Sequence, residues 1–330
     1  MVCKVAGRIE EYWERVDIET FFLAPLAGLY YLGWKSYELP FQLGIKKSHQ
    51  ARQPVICVGS LMAGGASKSP VTQHLCQVLL DSGRRVVVSL SGYKSQRRKG
   101  AFLAPPGPLS AKVWGDETAA FRDVFPDVTI VTGKNRVHAS DLAYEADPKA
   151  VFLMDDGFQH LELKKDVTLL LDPDPAPNPF LIPAGPYREP RAMGRQRASM
   201  CFPNPDFKVE GTAFSLEAHA GEGMENAWPS EVQVLCAIGR PHRLMQTLEA
   251  FGMKVVDARF LPDHDPMDST DLWKPFKSNL PIVMTHKDWV KVRERDDWQG
   301  RTLLIAKLKV TIQPEAAFLT WLNSRLPPAP

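Results

Sequence analysis

The sequence predicts an α/β protein: a mostly parallel sheet with helices on both faces, then a second, smaller α/β domain, with an apolar helix in front. Three observations predict it. Short apolar runs of strand length alternate with helical patterns; a glycine-rich turn carrying Lys68 and Ser69 follows the first run; and two adjacent carboxylates, Asp155 and Asp156, close another. Alternation of this kind buries strands on both faces. Ligands of such sheets bind at the carboxyl ends of the strands, which is where both polar motifs fall. Together these are the parts of a P-loop NTPase-type fold.

The elements follow in order. Residues 1–40 hold an uncharged, aromatic stretch from Thr20 to Trp34. As a helix it would be roughly 22 Å long, short of the ~30 Å hydrocarbon core, and it contains Pro25. Its aromatics and the following Lys35 suit a helix lying in a membrane interface, with a core helix packed on the main domain as the alternative. The first domain, 41–205, opens with the strand Pro54–Gly59, the glycine-rich turn, and a helix through Leu80 with Pro70 at its first helical position. Val86–Leu90 is a strand, followed by a basic, proline- and glycine-rich stretch to about Lys112. Then come a helix from Asp116 to Val124, a strand at Val128–Val131, a helix from Arg136 to Glu145, and strands at Ala150–Met154 and Val167–Leu171. Prolines and glycines dominate from Asp172 to Pro190, an ordered loop. Periodicity fades over 206–229, the expected linker. Residues 230–330 alternate again: strands at Val232–Ile238, Lys254–Arg259, Ile282–Thr285 and Leu303–Ala306, a helix at Leu244–Phe251, and a closing helix from about Pro314 to Arg325.

Composition sets bounds. At 330 residues there is room for two domains, and 44% hydrophobic with 24% charged residues excludes wholesale disorder. A net charge of +2 gives no reason to expect nucleic acid, so anion binding must come from local clusters. The five cysteines are scattered without a Cys-x-x-Cys pair and read as buried, reduced thiols; a zinc site has no support. No secretory signal is evident, and no protein partner is expected.

Two motifs carry chemistry. In Gly59-Ser-Leu-Met-Ala-Gly64-Gly65-Ala66-Ser67-Lys68-Ser69 a strand, a glycine-rich turn, a lysine and a hydroxyl enter a helix. Glycines let backbone N–H groups face phosphate, the helix N-terminus favours negative charge, and lysine neutralises the β/γ oxygens. Residues Gly64, Gly65, Ala66, Ser67, Lys68 and Ser69 are the nucleotide-binding candidates, although Met62 and Ser67 stand where a strict Walker A has glycine. In Met154-Asp-Asp-Gly-Phe-Gln-His160, paired carboxylates at a strand end need something positive beside them, and a magnesium ion at a P-loop is the usual partner. A polar turn capped by Gly157 is the plainer alternative.

With both in view the chain resembles the tetraacyldisaccharide 4′-kinases of lipid A synthesis. Asp155-Asp-Gly-Phe-Gln-His160 matches that family's hexapeptide completely; Pro54–Pro70, Gly115-Asp116-Glu117 and Pro183-Ala-Gly-Pro-Tyr-Arg-Glu-Pro190 follow its order. Ala237–Pro241, Pro262-Asp263-His264 and Thr285-His-Lys-Asp288 resemble its motifs in the second domain. The resemblance implies transfer of the ATP γ-phosphate to the 4′-hydroxyl of a tetraacyldisaccharide 1-phosphate, giving lipid IV-A. It implies a lipid-linked acceptor, Mg2+ as cofactor, and a peripheral place on the cytoplasmic face of the bacterial inner membrane. It makes Asp116 the base and His264 its partner, and Ser69, Asp155, Asp156, Gln159 and Glu189 the magnesium candidates. Gly92, Tyr93, Lys94, Arg97, His160 and Arg188 become the substrate-binding candidates.

The match breaks in places. Ser91 replaces an arginine, Ser60 an asparagine, Met62 a threonine, Thr118 a proline and His286 a glutamate of the family patterns. Lys94 or Arg97 is expected to supply the charge missing at Ser91. Two other readings stay open on the residues: a P-loop enzyme with a soluble substrate, or a membrane-bound nucleotide-binding homologue without turnover.

Overall fold

The structure is a computed structural model describing residues 13, 15–64, 68–219, 228–277 and 279–328. Three of the nucleotide-binding candidates (Gly65, Ala66 and Ser67) and Cys3 lie outside the described residues.

Helix α1 (Ile18–Gln42) begins at Asp17, whose carboxylate accepts from the Thr20 amide while the Thr20 hydroxyl accepts from the Asp17 amide, a reciprocal capping box. It is longer than the uncharged stretch suggested: 25 residues, about 37 Å, with Pro25 and Pro40 inside. No helix among the described residues is long and apolar enough to cross a membrane. Nor is α1 a core helix. Its buried residues are Thr20, Ala27 and Glu38, while Phe21, Phe22, Leu26, Leu29 and Leu32 are exposed.

The first sheet comprises β1 (Val55–Ser60), β2 (Val86–Leu90), β3 (Phe102–Leu103), β4 (Thr129–Thr132), β5 (Val151–Asp155), β6 (Val167–Leu171) and β7 (Met200–Phe202), in the order β3-β4-β2-β5-β1-β6-β7. All neighbours are parallel except β3 with β4. Their helices are α2 (Lys68–Asp81), α3 (Ala111–Trp114), α4 (Asp116–Val124), α5 (Arg136–Ala146) and α6 (Arg191–Arg197). Pro70, expected at the first helical position, is instead the third residue of α2, because the helix already starts at Lys68; it is still in the first turn, where an absent N–H loses no intrahelical bond. The central strands β1, β2, β5 and β6 are buried along their full length, as continuous apolar runs require.

The second sheet takes β8 (Lys208–His219), β9 (Glu231–Cys236), β10 (Lys254–Phe260), β11 (Ile282–Thr285) and β12 (Leu303–Gln313) in the order β10-β9-β11-β12-β8. It is accompanied by α7 (Pro241–Ala250) and α8 (His286–Val292). Two expectations change here. The first half of the supposed linker is strand β8, paired antiparallel with β12 from Lys208–Gln313 to His219–Leu303. The strand expected to stop at Ala306 runs on to Gln313, so this pair forms the connection between the units. Leu303 and Ile305 pack in the second core, whereas Val310 and Ile312 pack in the first. The closing helix α9 (Glu315–Asn323) likewise returns to the first core through Phe318 and Leu322. Periodicity cannot reveal that a strand pair passes from one core to another.

Candidate active site

Every parallel strand of the first sheet ends on the same edge, and the motifs collect there. At the end of β1, Gly59 lies so close to the acidic loop that a Cβ would sit 2.5 Å from that of Phe158. This approach brings α2 against Asp155: its carboxylate accepts from the Ser69 hydroxyl at 2.8 Å and from the Thr72 hydroxyl at 3.0 Å. Asp155 is buried, and burial, reinforced by the neighbouring Glu117 and Asp156, pushes it up to about 6 despite Ser69 and Lys68. The next residue has the opposite fate. Asp156 adopts φ 51°, turning its carboxylate toward Lys68 (3.7 Å) and the Arg188 fork (2.9 and 3.2 Å). Burial raises it, but Lys68, Arg188 and Arg136 outweigh that and hold it at about 2.

The five magnesium candidates divide. Ser69 and Asp155 are in contact. Asp156 belongs to the Lys68–Arg188 cluster, and Gln159 with Glu189 makes a third group: the Gln159 amide donates to Glu189 at 3.0 Å and to the Ser60 carbonyl at 3.1 Å. Among the described residues no group of three or more His, Cys, Asp or Glu side chains could hold a metal. Magnesium, however, needs only one or two protein oxygens alongside water and phosphate. A hydroxyl and a carboxylate 2.8 Å apart at a strand end are oxygen donors that fit it.

The second constellation spans the two units. Asp116, at the start of α4, meets the His264 Nδ1 at 2.9 and 3.0 Å. His264 stands in the loop after β10, with φ 57° and its ring edge-on to Tyr93 at 4.9 Å. Lys291 of α8 approaches Asp116 at 3.6 Å, and Lys287 pairs with Glu117 at 3.3 Å. Burial raises Asp116, but Lys287, His264 and Lys291 outweigh it and hold the carboxyl well below its usual range. At this helix start one Asp116 oxygen also accepts from the Glu117 amide at 2.9 Å, and both oxygens meet imidazole.

The substrate candidates are spread more widely. Gly92 needs its glycine: φ is +60° and a Cβ would lie 2.7 Å from the Thr132 methyl. The Lys94 amine donates to the Asp263 carbonyl at 3.1 Å across the domain boundary, and Arg97 lies over the Phe102 and Trp114 rings. Burial, Arg136 and Lys165 push His160 down to about 4, so it is neutral near pH 7. Arg188 is committed to Asp156.

Sequence reasoning missed several residues. Thr72 lies one turn after Lys68 on the same helix face, a spacing that signals it. Arg136 is fully buried and donates to the Ser89 hydroxyl (2.7 Å) and the Asp155 carbonyl (2.9 Å). Its place at a helix start beyond β4, on the ligand edge, was the available clue. Lys287 sits inside a quoted motif, but its pairing with Glu117 depends on domain docking and leaves no trace in the chain.

Comparison with known proteins identifies the family. The family model described as Tetraacyldisaccharide-1-P 4′-kinase matches residues 19–327. Proteins named Tetraacyldisaccharide 4′-kinase are similar throughout: that of Aromatoleum aromaticum is 30% identical over 318 residues, covering 89% of this chain and 92% of its own. That of Halorhodospira halophila is 32% identical over 295 residues (86% and 87%), and that of Ectopseudomonas mendocina 31% over 343 (97% and 97%). A crystal structure of LpxK from Aquifex aeolicus in complex with ATP shares the fold, with TM-score 0.75 and 24% identity over 94% of this chain and all of that one.

Proposed function

We propose that this chain, which belongs to the tetraacyldisaccharide-1-P 4′-kinase family, transfers the γ-phosphate of ATP to the 4′-hydroxyl of a tetraacyldisaccharide 1-phosphate in lipid A biosynthesis. The observation that carries the reading is the Asp116–His264 contact at 2.9 Å, placed on the sheet edge that also carries Lys68, Ser69 and Asp155. A sugar hydroxyl is a weak nucleophile, and a carboxylate within hydrogen-bond reach is what it needs.

In this reading Lys68 and the loop amides hold the β- and γ-phosphates, with Arg188 beside them. Asp116, ionised at neutral pH, accepts the proton of the 4′-hydroxyl as the oxygen attacks phosphorus and the bond to the bridging oxygen of ADP breaks. His264 fixes the carboxylate and shares that proton. Ser69 and Asp155 would hold Mg2+, which when bound neutralises charge on the β- and γ-oxygens. Tyr93, Lys94 and Arg97 flank the acceptor side, where the 1-phosphate needs cations.

The acceptor is a lipid, and the exposed apolar side chains of α1 support docking on the cytoplasmic face of the inner membrane. Neither a soluble substrate nor a chain without turnover accounts for both that surface and the retained Asp116–His264 pair. The test uses purified protein, radiolabelled ATP, magnesium and the tetraacyldisaccharide 1-phosphate, beside Lys68→Ala and Asp116→Ala. Label in lipid from the unmutated chain and loss in both variants is expected; no label in lipid overturns the reading. A Lys94/Arg97 double alanine should lose phosphotransfer with ATP affinity kept.

A further inference from the structure

Glu38 is out of character with its helix. Its neighbour Leu39 is 46% exposed and Leu43 at the helix end is 63% exposed, yet the Glu38 carboxylate is turned inward and only 1% exposed. A buried carboxylate is costly unless paired. Glu38 accepts from Lys35 at 2.9 Å and from Arg197 of α6 at 2.7 Å.

Arg197 does not stop there. Its second amino group pairs with Glu189, which is fully buried, and its guanidinium lies over the rings of Phe158 (5.1 Å) and Trp34 (5.8 Å). The other Glu189 oxygen accepts from Gln159, and the Gln159 carbonyl oxygen accepts from Arg188 at 3.4 Å. One guanidinium therefore joins the lipid-facing helix to the acidic loop and to the loop bearing Arg188 and Glu189. A further bond ties the same parts, the Tyr30 hydroxyl donating to the Arg188 carbonyl at 2.8 Å. The charges balance: Glu38 and Glu189 against Arg197 and Lys35.

We infer that Arg197, clamped by Glu38, is a positioning residue for phosphotransfer: it holds Glu189, and through it Gln159 and Arg188, in register with Lys68. The seat of the lipid-facing helix thereby sets the geometry of the phosphate end of the site. The inference rests on the kinase reading above and on Glu189 and Gln159 serving that end.

The test uses the full chain in mixed micelles and on vesicles of phosphatidylethanolamine and phosphatidylglycerol. Glu38→Gln, Arg197→Lys, Arg197→Met, Glu189→Gln and the Glu38→Gln/Glu189→Gln double variant are compared. The readouts are kcat, KM for ATP and acceptor, binding of a fluorescent ATP analogue, vesicle partition and Tm. Arg197→Met and Glu189→Gln should lower kcat about 10- to 100-fold, with acceptor KM and vesicle partition unchanged. Arg197→Lys should recover part of the loss. Glu38→Gln should cost less, and nothing further once Glu189 is already changed. If Arg197→Met fails to fold, Arg197→Lys and Glu38→Gln carry the test. Full kcat in the Glu38 and Arg197 variants while Glu189→Gln is impaired would overturn the inference and leave the kinase reading standing. Loss confined to vesicle partition and acceptor KM would reduce the joint to an anchor and overturn it too. Full turnover in Glu189→Gln removes its premise, and an unmutated chain that binds the ATP analogue without labelling lipid removes the kinase reading itself.

Discussion

The two halves of the proposed site, one for phosphate and one for the acceptor, are built in different ways. The phosphate half (Lys68, Ser69, Asp155, Asp156 and Arg188) is fixed by one sheet: β1 and β5 are hydrogen-bonded neighbours, and α2 packs on them. The acceptor half is assembled across two units by charge. Three acids of α4 face bases of α8 and its C-cap: Asp116 meets Lys291, Glu117 meets Lys287, and Asp123 meets both His286 (3.1 Å) and the cap residue Arg293 (2.7 Å). One half therefore forms with the core, while the other forms with domain docking. Burial and like-charge neighbours dominate at Asp155, opposite-charge neighbours at Asp116, and these two carboxyls shift in opposite directions.

The largest effects should separate the halves by function. Asp116→Asn is expected to lower kcat by about 10²- to 10⁴-fold, the usual worth of a general base, with nucleotide affinity unchanged. Lys68→Ala should lose both. Equal loss of nucleotide affinity in the two variants, measured with a fluorescent ATP analogue, would break the division.

Acidity should separate them next. Asp155 stands at about 6 in the fold against 3.8 for an ordinary aspartate, so the folded chain binds more protons there between those values. Stability therefore falls as pH rises from about 4 through 6. Asp116 runs the other way: its stabilisation is present above its unfolded value and is lost only below it, as pH falls through the depressed folded value. In nucleotide-free protein, the Tm of Asp155→Asn relative to the unmutated chain should increase from pH 5 to pH 7. A constant difference would remove the burial argument for Asp155.

Salt sharpens the contrast more gently. Raising ionic strength should speed hydrogen exchange in α4 and α8 while β1 and β5 hold, since the partly exposed Glu117–Lys287 and Asp123–Arg293 pairs are worth about 0.2–1 kcal/mol each and are screened. Asp123→Asn should mimic the effect at low salt. Gly92→Ala tests the seam locally: an L side chain at positive φ costs about 1–2 kcal/mol, and its Cβ would also meet the Thr132 methyl, so a lower Tm is expected; any loss of turnover would come through the Tyr93–His264 contact.

The acidic loop shows how far reading the chain could go. Asp155 and Asp156 look equivalent in sequence; φ 51° at Asp156 alone sends one to Ser69 and Thr72 and the other to Arg188. Glu189 could be found as a motif residue, but Arg197 could not, because its partner Glu38 is 159 positions away. The supposed linker at 206–229 illustrates the same limit from the side of the fold: β8 is stabilised by pairing with β12, not by any pattern of its own.

By itself the sequence determined the strand–helix alternation, the phosphate-loop lysine, the paired carboxylates and the apolar character of the N-terminal segment. These are local: apolar period, glycine spacing and composition act over a few residues. Only the tertiary structure decided which carboxylate meets hydroxyls and which meets cations, that Asp116 takes its partners from a second domain, and that a glutamate of the exposed N-terminal helix is buried against Arg197. Those outcomes depend on charges brought together across the chain, where desolvation makes each unpaired group costly and each pairing specific.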